Sequence, residues 1–314
     1  MAITLINFLL FLSSLFALGF FGQLVVSSLV KVATFLKLKE FTAAFILIAF
    51  ATTLPELFFG VFSALNGVPE LSLGNVVGTV LVNLCLIGGV ATLLSKNITF
   101  SEKQIRKDFW ICFGIVLIPV VLLIDGVLGR LDGFILIAVF IGYLSYLISK
   151  RKKERANFKN SITKMQFVIA TFLLVIGFLM IYFSAEYLVR FSELIIKELG
   201  WSEFFFSLII IAIGTSIPEL TFASVAALKG HGQMAIGDLL GAVIFDFGLI
   251  LGVTAIIKPI KILFSSILID LIFMIFAVFF FVILAQSGKK LTWTEGIALI
   301  FYYVLFLIVV FSLK

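Results

Sequence analysis

Ala51–Asn83 reads "ATTLPELFFGVFSALNGVPELSLGNVVGTVLVN", and Gly214–Asp246 reads "GTSIPELTFASVAALKGHGQMAIGDLLGAVIFD". Each stretch sets a glutamate directly behind a proline, then a short polar side chain, Asn83 or Asp246, 27 residues after that glutamate. A shift of 163 residues superposes the two without a gap. Thr52 meets Thr215, Pro55 meets Pro218, Glu56 meets Glu219, and Gly67, Gly74, Gly78 and Gly89 meet Gly230, Gly237, Gly241 and Gly252. From 51 to 90, 15 of 40 positions are identical. Shared apolar composition does not place proline, glutamate and four glycines in register, so the chain carries an internal repeat.

The setting of these motifs is lipid. Of 314 residues, 62% are hydrophobic and 13% charged, against about 25% charged in soluble proteins. Apolar runs long enough to cross a bilayer recur throughout. Ten spans are expected, near 3–30, 41–65, 71–95, 109–125, 131–149, 166–193, 204–228, 233–257, 262–286 and 292–313. The runs are too long and too uniformly apolar for the alternating strands of a β-barrel. No polar stretch is long enough for a soluble domain. The N-terminal run lacks a basic region and a small-residue cleavage site, so it reads as a membrane helix and not as a signal peptide. Cys85 and Cys112 lie in apolar runs and read as packed thiols, with no disulfide framework or metal motif.

The expected fold is therefore an all-α polytopic membrane protein, with ten transmembrane helices arranged as two inverted five-helix repeats. Residues 1–149 form the first repeat with its motif at 51–83, and residues 165–314 the second with its motif at 214–246. An odd number of spans per copy makes the second enter the membrane from the opposite side, which is a transporter plan with its site near the midplane. Between the copies, 150–164 ("KRKKERANFKNSITK") holds seven basic residues and one acidic, and reads as a cytoplasmic loop. With that loop inside, both termini lie outside, and 17 basic residues fall inside against 6 outside, as the positive-inside rule requires. The net charge of +6 thus follows membrane topology and does not point to nucleic acid.

The chemistry resides in Glu56, Glu219 and Asp246. A charged side chain at a helix centre costs about 2.5–3.5 kcal/mol on insertion scales. No Lys or Arg lies at similar depth in their spans, so a bound cation or a proton must supply the countercharge. Pro55 and Pro218 each remove one backbone N–H and leave the carbonyl four residues back, at Ala51 or Gly214, in need of a partner. Thr52, Thr53, Thr215 and Ser216 place hydroxyls one turn before the glutamates, and Thr79 lies one turn before Asn83. This all-oxygen set suits Ca2+, Na+ or Mg2+ and not zinc or copper. His231 sits in a turn and reads as solvated. Glycines four apart, at 74 and 78 and at 237 and 241, are expected to bring the third and eighth spans against the second and seventh. Glu186 and its repeat mate Gln23 are expected to make structural hydrogen bonds inside the bundle. Asp270, in the ninth span, has no role in this reading.

"TTLPE…GNVVGT…N" and "GTSIPE…GDLLGA…D" resemble the two alpha-repeats of the cation/calcium exchanger superfamily, closest to its sodium/calcium exchanger branch. The resemblance covers essentially the whole chain. It implies that Glu56 and Glu219 are the central calcium ligands and that Asn83 and Asp246 complete the middle of the site. Thr52, Thr53, Thr79, Thr215 and Ser216, with the backbone carbonyls of Ala49 and Ala212, would serve the calcium and flanking sodium sites. Three positions depart from the family pattern. Ala51 replaces a usual glycine, Asp238 a usual asparagine, and Ala242 a usual serine that the family uses as a sodium ligand. The last makes a weaker or less steep dependence on Na+ the expectation.

The function implied is a secondary antiporter that exchanges Ca2+ for Na+ by alternating access. It is not an enzyme. Its expected partners are the transported ions and the lipid bilayer, with no cofactor, nucleic acid or obligate protein partner. The alternative is a proton-driven exchanger of the same fold, because two glutamates facing one cavity repel each other and favour proton uptake. Against it, the proton/calcium branch usually carries an acidic residue where this chain has Gly78 and Gly241. An intramembrane aspartyl protease is a poor match, since "AIGD" at 235–238 lacks the first glycine of GxGD and no "YD" occurs. A channel is disfavoured by the inverted repeat around a charged midplane site.

Overall fold

The computed structural model describes residues 2–36, 49–100, 102–151 and 162–313. Residues 41–48 of the second expected span and most of the basic 150–164 loop lie outside these residues. Among them the protein is almost wholly helical, as lipid demands of a backbone that must satisfy its own hydrogen bonds. Among the described residues seven helices are long and apolar enough to cross a membrane, or eight if one bent pair counts as a single span. Two shorter apolar helices, Leu54–Asn66 and Phe109–Asp125, accompany them.

The elements recur at the interval seen in the motifs. Helix α1 (Ala2–Phe35) has its mate 163 residues on in Lys164–Leu199, and α2 (Leu54–Asn66) in Ile217–Leu228. Glu70–Leu81 (α3), a π-turn at Val82–Ile87 and Gly88–Ser95 (α4) have mates in Gly232–Ile244, a π-turn at Phe245–Ile250 and Leu251–Ile257. Glu102–Leu122 (α5) and Arg130–Arg151 (α6) match Phe264–Gln286 and Trp293–Leu313. In chain order the second set is α7 (Lys164–Leu199), α8 (Glu203–Phe206), α9 (Ala212–Thr215), α10 (Ile217–Leu228), α11 (Gly232–Ile244), α12 (Leu251–Ile257), α13 (Phe264–Gln286) and α14 (Trp293–Leu313).

Four short strands follow the same rule. β1 (Asn97–Thr99) pairs antiparallel with β4 (Lys290–Thr292), and β2 (Val127–Leu128) with β3 (Ile260–Lys261). A 163-residue shift carries one sheet onto the other.

Local sequence explains the ends. Thr163 opens α7 through a capping box: its hydroxyl accepts from Gln166 N at 3.2 Å while Gln166 Oε1 accepts from Thr163 N at 3.0 Å. Gly200, at φ +70°, closes that helix in the left-handed conformation. With 36 residues, α7 is about 54 Å long and must tilt to fit a hydrocarbon core of about 30 Å.

Burial separates centre from shell. The Glu70–Ser95 and Gly232–Ile257 spans are 83% and 78% buried, whereas the Arg130–Ser149 and Lys164–Leu199 spans are 22% buried. The motif-bearing spans are therefore the core, and α1 and α7 pack along each other at its side. Gly22 of α1 lies where the two prolines meet: a Cβ there would stand 2.9 Å from Cγ of both Pro55 and Pro218.

One sequence expectation changes, the hydrogen bonding of Glu186 and Gln23, while the prolines and glycines act in forms that the sequence left open. The turn before each proline breaks the helix, at Thr53 (φ −85°, ψ 5°) and Ser216 (φ −78°, ψ 9°), and the proline sits in the first turn of a new helix. The segments Glu203–Thr215 and Ile217–Leu228 meet at 43°. The glycines bring the third and eighth spans against the second and seventh, as expected, and do so crosswise. Cβ atoms added at Gly74 and Gly78 would collide with the backbone carbonyls of Phe204 and Leu208, so the third span lies against the seventh, and Gly241 faces Ala49 in the second. Glu186 turns outward to pair with Arg190 at 2.9 Å, while the Gln23 Oε1 is buried with no hydrogen-bond partner among the described residues. Cys85 and Cys112 are buried free thiols, and His231 is exposed at the start of α11.

Candidate ion-binding site

The two helix breaks define the site. Each puts a glutamate in the first turn of a new helix, Glu56 in α2 and Glu219 in α10. The N-terminal end of a helix carries partial positive charge, worth up to ~2 kcal/mol to a carboxylate in favourable geometry. The countercharge that the sequence alone does not supply thus comes in part from the backbone. It is a fraction of a unit charge facing a full one, so each carboxylate still requires a cation.

The opposite ends of the breaks present carbonyls. The Ala49 carbonyl accepts from the hydroxyls of Thr52 and Thr53, both at 3.0 Å, and from Thr53 N at 3.3 Å. The Ala212 carbonyl accepts from Ser216 N at 3.3 Å and has the Thr215 hydroxyl at 3.5 Å. Thr215 Oγ1 also donates to Asn75 Oδ1 at 3.2 Å and faces the Glu56 carboxylate. In this structure the threonines and carbonyls bond to one another across the breaks.

Asn83 and Asp246 each lie in a π-turn, Val82–Ile87 and Phe245–Ile250. An i→i+5 turn shifts the phase of the helix and re-aims the side chains that follow, a device frequent at functional sites. Sequence places Thr79 one turn before Asn83 in the same span. The structure instead turns its hydroxyl across the repeats, 2.8 Å from Asp246 Oδ2 and 2.9 Å from the Val76 carbonyl. Thr79 and Asp246 therefore belong to one hydrogen-bonded cluster.

All eleven candidates, Ala49, Thr52, Thr53, Glu56, Thr79, Asn83, Ala212, Thr215, Ser216, Glu219 and Asp246, are buried. The charge of Glu56 interacts with Asp246, and that of Glu219 with Glu56, Asp238 and Asp246. Glu56 Oε2, Asn83 Oδ1, Ser216 Oγ, both Glu219 oxygens and Asp246 Oδ1 have no hydrogen-bond partner among the described residues. Buried polar oxygens are nearly always paired, and this many in one region mark a place built for a ligand that draws electron density from oxygen. No three His, Cys, Asp or Glu side chains converge closely enough to hold a metal ion by themselves among the described residues. A cation here needs hydroxyl, amide and carbonyl oxygens as well, which is how hard cations are held.

Sequence reasoning passed over two polar neighbours. Asn75 reaches Thr215 from the adjacent repeat, and Ser207, in a third π-turn at Ser207–Ile211, has a buried hydroxyl without a partner among the described residues. Asn75 was legible only as the letter between Leu73–Gly74 and Val76 in a glycine motif; nothing in the sequence marks Ser207.

Known proteins match most or all of the chain. The family described as "Sodium/calcium exchanger protein" matches residues 6–149 and 169–312. The sodium/calcium exchanger MaX1 of Methanosarcina acetivorans is 27% identical over an alignment of 345 positions, covering 98% of this chain and 99% of that protein. The Ca(2+)/H(+) antiporter ChaA of Bacillus subtilis is 25% identical over 282 positions, covering 82% and 80%. Solved structures of the sodium–calcium exchanger NCX_Mj share the fold: one soaked with 10 mM Na+ and no Ca2+ superposes at a TM-score of 0.68, with 23% identity and full coverage of both chains.

Proposed function

The chain belongs to the sodium/calcium exchanger protein family, and from that premise we propose that it exchanges Ca2+ for Na+ at a midplane site built on Glu56 and Glu219. It is a multi-pass membrane antiporter of Ca2+ and a counter-cation, a transporter and not an enzyme. One observation carries the site: two fully buried glutamates with unpaired oxygens stand at the mouths of broken helices, the arrangement in which secondary transporters hold ions. Glu56 and Glu219 bind Ca2+ directly and Asn83 and Asp246 complete the middle. Thr52, Thr53, Thr79, Thr215 and Ser216, with the Ala49 and Ala212 carbonyls, serve Ca2+ and the flanking Na+. When an ion enters, these hydroxyls and carbonyls exchange their mutual hydrogen bonds for ligation.

The ten-span inverted repeat, 1–149 and 165–314 about the 150–164 loop, belongs to the same proposal. The element-by-element recurrence supports it. So does side-sharing: in a ten-span threading the loops joined by β1 and β4 fall on one face of the membrane, and those joined by β2 and β3 on the other. The basic loop is cytoplasmic and both termini lie outside, on the 17-to-6 charge split.

Ca2+ uptake into proteoliposomes, driven separately by a Na+ gradient and by a pH gradient, tests the coupling ion. The proposal expects uptake with Na+; uptake with the pH gradient alone transfers the site to proton exchange, the reading that the ChaA relationship favours. Acid gives a further prediction. Carboxylates must be ionised to bind Ca2+, so lowering the pH raises the Ca2+ concentration for half-maximal transport, and excess Ca2+ restores the rate. Inhibition that no Ca2+ concentration relieves would place the sensitive proton elsewhere.

A further inference from the structure

The two halves of the site are not equally open. Around the first break the Ala49 carbonyl accepts from three donors, the hydroxyls of Thr52 and Thr53 at 3.0 Å and Thr53 N at 3.3 Å. A carbonyl oxygen has two lone pairs, so both are taken there. Around the second break the Ala212 carbonyl accepts from Ser216 N at 3.3 Å, and the Thr215 hydroxyl stands off at 3.5 Å. The Ser216 hydroxyl, repeat mate of the Thr53 hydroxyl, has no partner among the described residues.

Asn75 accounts for the difference. It lies in α3 of the other repeat, 1% exposed, and its Oδ1 accepts from Thr215 Oγ1 at 3.2 Å. A hydroxyl has one proton and two lone pairs. With its proton on Asn75, the Thr215 oxygen keeps its lone pairs for a cation, and the Ala212 carbonyl keeps one of its own. The matching position of the second repeat is Asp238, whose oxygens have no hydrogen-bond partner among the described residues. There Thr52 turns to its own carbonyl instead. The amide is also costly where it stands. Asn75 Nδ2 is buried without a partner among the described residues, and an unpaired buried donor destabilises a fold. A leucine would fill the same space without that penalty, so packing gives no reason for an amide here.

We propose that Asn75 is a positioning residue for cation binding: it holds the Thr215 proton away from the ion and from the Ala212 carbonyl, and so keeps the Ala212, Thr215 and Ser216 half of the site open. This rests on the reading that Thr215 and the Ala212 carbonyl ligate the transported cations. Asn75 itself touches no ion. Without it the Thr215 proton falls back on the Ala212 carbonyl, as the Thr52 proton does on Ala49, and an arriving ion must break that bond first. Preorganisation of this kind lowers the concentration at which a ligand binds.

The test is tracer Ca2+ exchange by the full-length protein in proteoliposomes loaded with unlabelled Ca2+. Two constants are read, the half-saturating Ca2+ concentration and the Na+ concentration that halves the exchange. Asn75→Leu and the smaller Asn75→Ala both remove the acceptor. Each is expected to raise at least one constant about fivefold, the worth of one ordinary hydrogen bond, with the maximal rate little changed. Asn75→Asp keeps an acceptor in place and should leave both constants at or below the wild-type values. A packing role gives the opposite order, since an added buried charge disturbs a core more than leucine does. Thr215→Val should raise the same constant, and Asn75→Leu added to it should change nothing further, as two residues acting through one hydrogen bond require. Unchanged constants in Asn75→Leu and Asn75→Ala, with normal wild-type exchange, would overturn the role of Asn75 and leave the exchanger reading intact. A full additional shift on the Thr215→Val background would do the same. Absence of tracer exchange by the wild type would overturn the exchanger reading and this inference together. The alanine arm decides the matter if the leucine variant is not recovered folded.

Discussion

Glu56→Gln and Glu219→Gln are each expected to abolish Ca2+ transport in a protein that still folds. Both glutamates are at most 1% exposed and begin a helix after a proline-directed break. Glutamine keeps the shape and one carbonyl oxygen but withdraws the negative charge that draws a divalent ion out of water. Removing one partner from a buried charge interaction costs about 2–5 kcal/mol, which is about thirtyfold to several thousandfold in affinity. The fold should tolerate the change, because Glu56 Oε2 and both Glu219 oxygens are buried without a hydrogen-bond partner among the described residues. The measurement is tracer Ca2+ uptake, with size-exclusion behaviour and thermal unfolding as the check on folding. Uptake within a fewfold of wild type by either variant would remove that glutamate from the site.

Gly78→Val is expected to have an effect as large by a different route. A Cβ at Gly78 would collide with the Leu208 carbonyl and lie 2.6 Å from the Ala212 Cβ. Neither can swing away, since one is backbone and the other the first atom of its side chain. Helices that approach this closely do so because small residues line the seam. Valine would force the third span off the seventh and separate Asn75 from Thr215. Overpacking of a rigid core costs about 1–3 kcal/mol even where some relaxation is available, and less is available here. Low yield of monodisperse protein and complete loss of uptake are expected. Gly114→Val and Gly142→Val are the controls, since a Cβ at either meets nothing within 4 Å. Normal yield and transport by Gly78→Val would mean that the seam is not close-packed.

These two effects differ in how far they could be read in the sequence. Glu56 and Glu219 announce themselves, because a carboxylate behind a proline in an apolar run is expensive and its repetition at a fixed interval leaves no room for accident. The periodicity of Gly74 and Gly78 was also plain, and it pointed to the second and seventh spans without saying which. A small-residue stripe says that something comes close, and only the fold shows that it is the opposite repeat. The prolines were legible as interruptions, yet a kink and a restart look the same in one dimension. The restart matters, because it turns each proline into the first turn of a helix and lends Glu56 and Glu219 a partial countercharge. The π-turns at Asn83 and Asp246 had no signal at all: an i→i+5 turn arises from packing and not from local propensity. For that reason Thr79 looked like a companion of Asn83 and proves to be a companion of Asp246.

An exchanger works at one site that faces the two sides of the membrane in turn. Counterflow measures this with no monovalent gradient to interpret. Proteoliposomes loaded with unlabelled Ca2+ are diluted into tracer Ca2+ at low concentration. A carrier that must return loaded will concentrate the tracer transiently above its equilibrium level, and vesicles without internal Ca2+ will not. That overshoot is predicted for the wild type. Tracer entry that rises monotonically to equilibrium, at the same rate whether or not the vesicles contain Ca2+, would describe a channel and contradict the account.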